Sequence, residues 1–88
     1  MRYFVRFNSD RQPVNLYRFH QDIDPEVLLR KLSFDEGFAD TVLEEIWNEI
    51  GWDTVFGTVK RIVEGYIDCD EVTEAEARKI YPEAFANS

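Results

Sequence analysis

The sequence predicts an α+β domain in which an N-terminal antiparallel β-hairpin is followed by about four α-helices packed on one face. Three observations predict this class. Apolar residues alternate with polar ones over residues 2–20, as in strands, and later recur every three or four positions, as in helices. Helix-capping signals precede the later segments. The 88 residues allow a single domain, with the hairpin at 2–20, a helical part at 24–85 and a frayed tail at 86–88.

The hairpin is predicted from two strand-like segments joined by a polar turn. In residues 2–8, every second side chain from Tyr3 to Phe7 is apolar, and these share one face because side chains alternate along a strand. Residues 14–20 are rich in β-branched and aromatic residues, which favour strands. The polar segment 9–13 contains a proline and is typical of a turn. Because an isolated hairpin is only marginally stable, the helices must cover its apolar face.

The first two helices are predicted from their start signals. Asp24, followed by a proline, begins a short helix of about two turns. Ser33 and Glu36 then have the spacing of a capping box, which opens a longer helix. Apolar side chains recur at helical spacing over positions 34–50. Gly51 is expected to end this helix, since a glycine adopts the left-handed conformation easily.

A third helix is predicted between positions 53 and 65. Asp53 or Thr54 is expected to cap its first turn, and Gly65 is expected to end it. Gly57 falls inside the pattern and costs about 1 kcal/mol relative to alanine unless it permits close helix packing. Residues 68–71 follow as an acidic loop.

The last helix is predicted from a second capping box. Thr73 and Glu76 provide the reciprocal hydrogen bonds of that motif. Pro82 is expected to disturb the helix, because proline lacks a backbone N–H and clashes with the preceding turn. Phe85 is expected to be the last apolar anchor of the domain.

The composition excludes several classes of function. Eighteen acidic residues against 10 basic ones give a net charge of −8. An acidic surface repels phosphate backbones and anionic membranes, so no direct nucleic-acid binding and no membrane association are expected. No apolar run is long enough for a membrane span or a signal peptide, and a cytoplasmic location is expected. The single cysteine excludes an intrachain disulfide and a multi-cysteine zinc site.

No residue pattern indicates catalysis, so a non-enzymatic protein is predicted, with no cofactor and no metal. His20 ends the second strand, where it is either an exposed residue or a general base in need of a positioned partner. Cys69 lies between Asp68 and Asp70, whose charges raise the pKa of its thiol and disfavour the reactive thiolate. These two aspartates fit the first and third positions of an EF-hand loop, but the glycine at the sixth position and the glutamate at the twelfth are missing.

A partner-binding surface is predicted from acidic side chains and one tryptophan. Three glutamates lie opposite the apolar stripe of the second helix, where a solvated helix face is the alternative interpretation. Trp52, at the corner that follows, either seals that corner or is an exposed hot spot for binding. The predicted binding residues are Glu44, Glu45, Glu49, Trp52, Asp68, Asp70 and Glu71.

Two resemblances accompany these patterns. Tyr17-Arg18-Phe19, together with the segment Glu71 to Ala77, resembles small acidic proteins of unknown function from bacteria and their phages. Those proteins also begin with a short hairpin and end in a helix opened by a similar capping box, and the resemblance implies no particular activity. Residues 43–52 are similar to the acidic helix of the barstar family of nuclease inhibitors, from which no functional residue is carried over.

Three functions follow as hypotheses. The first is binding to another protein, with a basic partner favoured by the acidic helix face. The second is an acidic inhibitor, or DNA mimic, that presents carboxylates to a nuclease or a DNA-binding protein. The third is a small anion-binding domain that uses His20 and arginines such as Arg6 or Arg18. The hairpin also has exposed edges, which predict a homodimer formed by strand pairing across a two-fold axis.

Overall fold

The computed structural model of the protein describes residues 1–34 and 43–86. Within them the chain forms a five-stranded antiparallel sheet, three α-helices and a short 3₁₀ helix. The strand order is β4-β3-β2-β1-β5. The strands are β1 (Arg2–Phe7), β2 (Pro13–Phe19), β3 (Glu44–Trp47), β4 (Trp52–Val55) and β5 (Cys69–Val72). The helices are α1 (Pro25–Phe34), α2 (Thr58–Val63) and α3 (Glu74–Ile80), followed by the 3₁₀ helix Pro82–Phe85. The predicted hairpin followed by four helices is therefore wrong as a fold class.

The N-terminal hairpin itself is confirmed. β1 and β2 pair antiparallel, with Val5 opposite Leu16. Their turn is organised by Asn8, whose side-chain oxygen accepts hydrogen bonds from the backbone N–H groups of Asp10 and Gln12, both at 2.9 Å. An asparagine that binds the backbone two residues on is a common turn device.

The hairpin lies in the middle of the sheet, and its edges are not free. β3 pairs with β2, and β5 pairs with β1, both antiparallel. The predicted homodimer depended on open hairpin edges, and that basis is absent because the chain's own later strands occupy both. In the described residues, the outer strands of the sheet are β4 and β5.

The predicted second helix is replaced, in its described part, by the hairpin of β3 and β4. Glu45 pairs with Thr54, and Trp47 pairs with Trp52. The Asn48 side-chain oxygen accepts hydrogen bonds from the backbone N–H groups of Ile50 and Gly51, at 3.0 and 2.8 Å. The turn places Glu49, rather than the glycine, at a left-handed φ of 77°. Residues 35–42 of the predicted helix lie outside the described residues.

Two predicted helix starts have different outcomes. Asp24 does begin α1, and its carboxylate accepts a hydrogen bond from the backbone N–H of Glu26 at 3.0 Å. Ser33 does not begin a new helix, since it lies inside α1 and its hydroxyl donates to the carbonyl of Leu29 at 3.0 Å. A serine in a helix can bind the carbonyl four residues back, so its presence alone does not mark a start.

The two glycines of the predicted third helix lie outside α2. Gly57 precedes the helix in a left-handed conformation with a φ of 76°, so it is a turn residue and not a helix-interior glycine. Gly65 follows the helix at a φ of 84°, as predicted. Positive φ is cheap for glycine because it has no β-carbon. The segment before α2, predicted as the helix start, is strand β4.

Of four predictions for the C-terminal region, one is wrong and three are confirmed. The predicted acidic loop is strand β5, in which Val72 pairs with Tyr3 of β1. The capping box of α3 is present, since Thr73 and Glu76 exchange side-chain and backbone hydrogen bonds. Pro82 ends the α-helical run and starts a 3₁₀ turn, and Phe85 is buried.

Apolar clusters cover both faces of the sheet, whereas the sequence predicted helices on one. On one face, α1 and α2 bury side chains of the central strands through Leu28 and Val59. On the other, Ala77 of α3 and Phe85 of the 3₁₀ turn pack on Val5 and Leu16. β1 therefore buries consecutive side chains, as expected for a strand covered on both faces.

Candidate functional site

Strand β3 separates the two neighbouring glutamates of the predicted binding surface. Glu44 is buried, at 8% exposure, on the face covered by α2. Its carboxylate accepts hydrogen bonds from the backbone N–H groups of Val59, at 2.7 Å, and Gly57, at 3.2 Å. These are the N–H groups that the start of a helix leaves without an internal partner. Glu44 therefore anchors α2 to the sheet and is not presented to a partner.

Glu45 points to the opposite face, where it contacts Arg18 of β2 and His20, which directly follows that strand. Its carboxylate accepts a hydrogen bond from Arg18 Nε at 2.7 Å and also contacts His20 Nε2. Burial alone would raise the pKa of Glu45, but the hydrogen bonds and positive charges of Arg18 and His20 outweigh burial and lower it. His20 thus has a carboxylate partner from β3, which the sequence did not predict.

Besides binding the carboxylate of Glu45, Arg18 contacts a pair of tryptophans. Its guanidinium lies over the ring of Trp52, 3.8 Å from the ring centroid. Trp47 and Trp52 pack against each other with centroids 5.6 Å apart, and Trp52 Nε1 donates to the carbonyl of Ala84 at 3.4 Å. Trp52 is half-buried, so it both seals this corner and contributes to the surface.

A cavity of about 230 Å³ opens beside this cluster. Its wall is formed by the two tryptophans and Arg18, together with residues of the β3–β4 turn and the 3₁₀ helix. The lining residues are Arg18, Trp47, Ile50, Gly51, Trp52, Glu83 and Ala84. Ile50, at the tip of the turn, is 93% exposed.

A second concave surface lies around α2. It measures about 630 Å³ and is flanked by two aromatic side chains, Phe56 and Tyr66, which are 85% and 80% exposed. Between them, α2 contributes Lys60 and Arg61. These four residues are termed the aromatic–basic patch. The remaining lining residues are Gly57, Glu64 and Ile67.

The two glycine turns at the ends of α2 place the aromatic residues of this patch. Gly57 directly follows Phe56, and Gly65 directly precedes Tyr66. The backbone N–H of Tyr66 donates to the carbonyl of Arg61 at 2.8 Å, which folds the chain back over the end of α2. Among residues 1–34 and 43–86, neither Lys60 nor Arg61 forms an ion pair.

Two of the acidic residues at the β5 edge form ion pairs, unlike the cationic residues of the aromatic–basic patch. Arg2 Nε donates to the carboxylate of Glu71 at 2.6 Å, and Arg11 contacts Asp70 at 3.3 Å. Asp68 is exposed just before the strand. Asp70 and Glu71 are neighbours in β5 and lie on opposite faces of the sheet, so the structure does not gather the predicted binding residues into one surface.

The three predicted glutamates do not form one face. Glu44 and Glu45 are buried on opposite faces of β3, and Glu49 is exposed in the β3–β4 turn. The predicted helix face, on which all three glutamates were expected to contact a partner, is absent. The carboxylates of Glu44 and Glu45 are occupied by the protein's own donors, since both are hydrogen-bonded within the chain.

The surroundings of Cys69 disfavour the reactive thiolate form of its side chain. Burial raises the pKa of the Cys69 thiol to about 11, Arg6 opposes this shift, and Asp68 and Asp70 add to it. The predicted direction is confirmed, with burial as the larger cause. Within the part of the chain that the structure describes, no three histidine, cysteine or acidic side chains are arranged to hold a metal ion. No helix among these residues has the length and apolar character to cross a bilayer.

The aromatic–basic patch was missed because its aromatic residues fit other patterns. Phe56 fits the helical spacing of the apolar residues Val55, Val59 and Ile62, and this spacing predicts a buried position for it. The sequence feature that could have revealed the patch is the glycine next to each aromatic residue. A glycine at each end of a short helix favours a turn there, and side chains next to a turn are often exposed.

No protein-family model matches the chain, and no curated protein and no solved structure is significantly similar to it.

Proposed function

We propose that this protein is a non-enzymatic interaction module that binds another protein through the aromatic–basic patch. The main support for this proposal is the exposure of Phe56 and Tyr66, at 85% and 80%, on either side of one concave surface. Large aromatic side chains are usually at least half-buried, and they supply much of the energy at protein interfaces. A small domain that keeps two of them exposed around a concavity has the anchor points of a binding surface.

The charge of the patch indicates the chemistry of the partner. Lys60 and Arg61 form no ion pair with a described residue, although the chain as a whole carries a net charge of −8. A partner segment with an apolar side chain next to carboxylates would fill the concavity and pair with both cations. At this surface the partner is therefore acidic, in contrast to the basic partner that the sequence favoured.

The inhibitor alternative has weaker support. It requires a continuous set of exposed carboxylates that imitate phosphates. Glu44 and Glu45 are buried, and Asp70, Glu71 and Glu74 pair with arginines. Carboxylates that are already neutralised by the chain's own cations contribute less to attracting a basic partner.

The test compares the partners captured by matched variants of the whole protein. The bait proteins are the wild type, the double variant Phe56→Ala with Tyr66→Ala, and the control variant Val14→Ala, which removes an apolar side chain exposed at 41% outside both cavities. A specific partner should be retained by the wild type and the control and lost by the double variant. With the partner purified, the double variant should bind at least tenfold more weakly, because hot-spot truncations cost about 2 kcal/mol or more.

A charge variant tests the sign of the partner. Lys60→Glu with Arg61→Glu should slow association and remove most of its salt dependence, because electrostatic steering depends on opposite charge. Lys79→Glu with Arg30→Glu, at exposed cationic residues of α3 and α1, is the control for the same change in net charge. Partners that bind the double aromatic variant as tightly as the wild type would rule out this patch as the interface.

A further inference from the structure

The Arg18 cavity lies on the sheet face opposite the face covered by α2, so it is separate from the aromatic–basic patch. Its volume of about 230 Å³ is below the range of drug-sized pockets, which indicates a smaller ligand. Two indole rings, Trp47 and Trp52, form much of its apolar wall. Among the described residues that line the cavity, Arg18 is the only cationic one.

Arg18 is fixed in a way that leaves part of its guanidinium available. Its Nε donates to the carboxylate of Glu45 at 2.7 Å, and its Cζ lies 3.8 Å from the centroid of the Trp52 ring. Within residues 1–34 and 43–86, its two terminal nitrogens have no hydrogen-bond acceptor. A guanidinium held on one edge and one face loses little freedom when it binds a ligand, and its fork matches the two oxygens of a carboxylate.

The surrounding charges select a ligand with a single negative charge. Glu45 already offsets the charge of Arg18, and Glu83 lines the same cavity. A doubly charged phosphate would therefore meet two carboxylates for one arginine. A carboxylate with an apolar or aromatic body is better matched, since the body can pack against the tryptophan walls.

We propose that this cavity binds a small monocarboxylate, with the carboxylate on the terminal nitrogens of Arg18 and an apolar body against Trp47. The same chemistry is offered by a free organic acid and by the C-terminal carboxylate of a peptide. Either ligand enters from the side of the β3–β4 turn, where Ile50 is exposed.

The chain contains its own reporter for this site. Its two tryptophans, Trp47 and Trp52, both line the cavity, so intrinsic tryptophan fluorescence reports on the cavity alone. The probes are phenylacetate, its neutral analogue phenylacetamide, N-acetylphenylalanine as a peptide C-terminus, and inorganic phosphate. Phenylacetate should give a saturable change, and phenylacetamide should bind about tenfold more weakly. Tighter binding of N-acetylphenylalanine than of phenylacetate would support the site and assign it to peptide C-termini.

Variants separate binding from folding. Arg18→Gln should reduce phenylacetate affinity about tenfold, and Arg18→Lys should reduce it as well, because lysine keeps the charge but lacks the fork. Arg11→Gln, at an exposed arginine in the β1–β2 turn, is the matched control. Since changes at Arg18 also disturb Glu45, Glu83→Gln provides a second test that leaves this ion pair intact. It should strengthen carboxylate binding severalfold by removing a like charge.

Four results would overturn the proposal. These are the absence of saturable binding at millimolar phenylacetate, equal affinity for phenylacetate and phenylacetamide, tighter binding of phosphate than of phenylacetate, and weaker carboxylate binding by Glu83→Gln. None of these results bears on the aromatic–basic patch, whose residues lie outside this cavity.

Discussion

In both α2 and α3, a side-chain oxygen accepts hydrogen bonds from backbone N–H groups at the start of the helix. The two helices differ in how far along the chain the residue that provides this oxygen lies. At α3, Thr73 and Glu76 satisfy each other's backbone N–H groups within one turn. At α2, the N-cap residue Gly57 has no side chain. The acceptor is instead Glu44, which lies 13 and 15 positions before the two residues whose N–H groups it binds. The cap of α3 is exposed and local, whereas the cap of α2 is buried and connects two elements.

This difference changes what each cap contributes to stability. A local cap stabilises its own helix, and water can replace it at modest cost when it is lost. Glu44 binds Val59, which is fully buried, so its removal leaves a backbone donor that water cannot easily reach. It also detaches α2 from β3. We therefore expect the long-range cap to be the more important of the two.

The largest expected effect is that of Glu44→Ala. The free energy of unfolding should fall by about 3 kcal/mol, because a charge-assisted hydrogen bond to a buried donor is lost and a cavity is formed. Urea denaturation monitored by circular dichroism measures this change. Glu44→Gln, which keeps one acceptor oxygen, should lose less. The exposed Glu49→Ala is the control and should stay within about 0.5 kcal/mol of the wild type.

The same contrast explains which parts of the fold the sequence predicts. The hairpin turn, the start of α1 at Asp24 and the capping box at Thr73 depend on residues within five positions, and all three are confirmed. β3, β4 and β5 are short and depend on pairing with distant strands. The sequence places Glu44 and Glu45 on the exposed face of a helix, opposite its apolar stripe. Glutamates are seldom buried unless they are paired. Their partners come from β2 and α2, which no local pattern reveals.

The next largest effect concerns Glu45, the other buried glutamate of β3. Glu45→Gln should lower the free energy of unfolding by about 2 kcal/mol at neutral pH, since Arg18 and His20 lose a buried carboxylate partner. Because its folded pKa is lowered, the ionised Glu45 stabilises the fold above the unfolded pKa of about 4.3 and loses this effect as the pH falls through the folded value.

The measurement is the difference in unfolding free energy between wild type and Glu45→Gln across a pH series. Other carboxylates titrate in both proteins, so their contributions largely cancel in the difference. The difference should be constant near neutral pH and shrink below about pH 4.3. A difference that is unchanged at acid pH would show that the ion pair with Arg18 is not what stabilises this corner.

The candidate sites were less predictable than the fold. The hypothesis of an anion site included Arg18 and His20 but lacked Glu45, which holds both. The aromatic–basic patch depends on Phe56 being exposed, and its sequence position fits a helix interior equally well. The exposure of Phe56 is decided by where α2 begins and how the chain turns at Gly57, which is a property of the assembled fold.

A smaller effect is expected at the local cap. Thr73→Ala should lower the free energy of unfolding by about 1 kcal/mol, because α3 loses a side-chain acceptor that water can partly replace. Thr73→Ser, which keeps the hydroxyl, is the matched control and should recover most of the loss. The same denaturation experiment measures both. If Thr73→Ala were as damaging as Glu44→Ala, the distinction between local and long-range caps would fail.

The smallest effect is expected where a contact is distant in sequence but exposed. Arg11 and Asp70 are 59 positions apart, yet their side chains are 74% and 54% exposed. Asp70→Asn should change the free energy of unfolding by less than about 0.5 kcal/mol, because solvent and salt screen such pairs. Glu71→Gln, at the less exposed pair with Arg2, should cost more. Both substitutions remove one negative charge from β5. The difference between their costs in unfolding free energy therefore reflects the burial of the ion pair and not the net charge. A cost for Asp70→Asn close to that of Glu44→Ala would mean that sequence separation, rather than burial, determines the strength of these contacts.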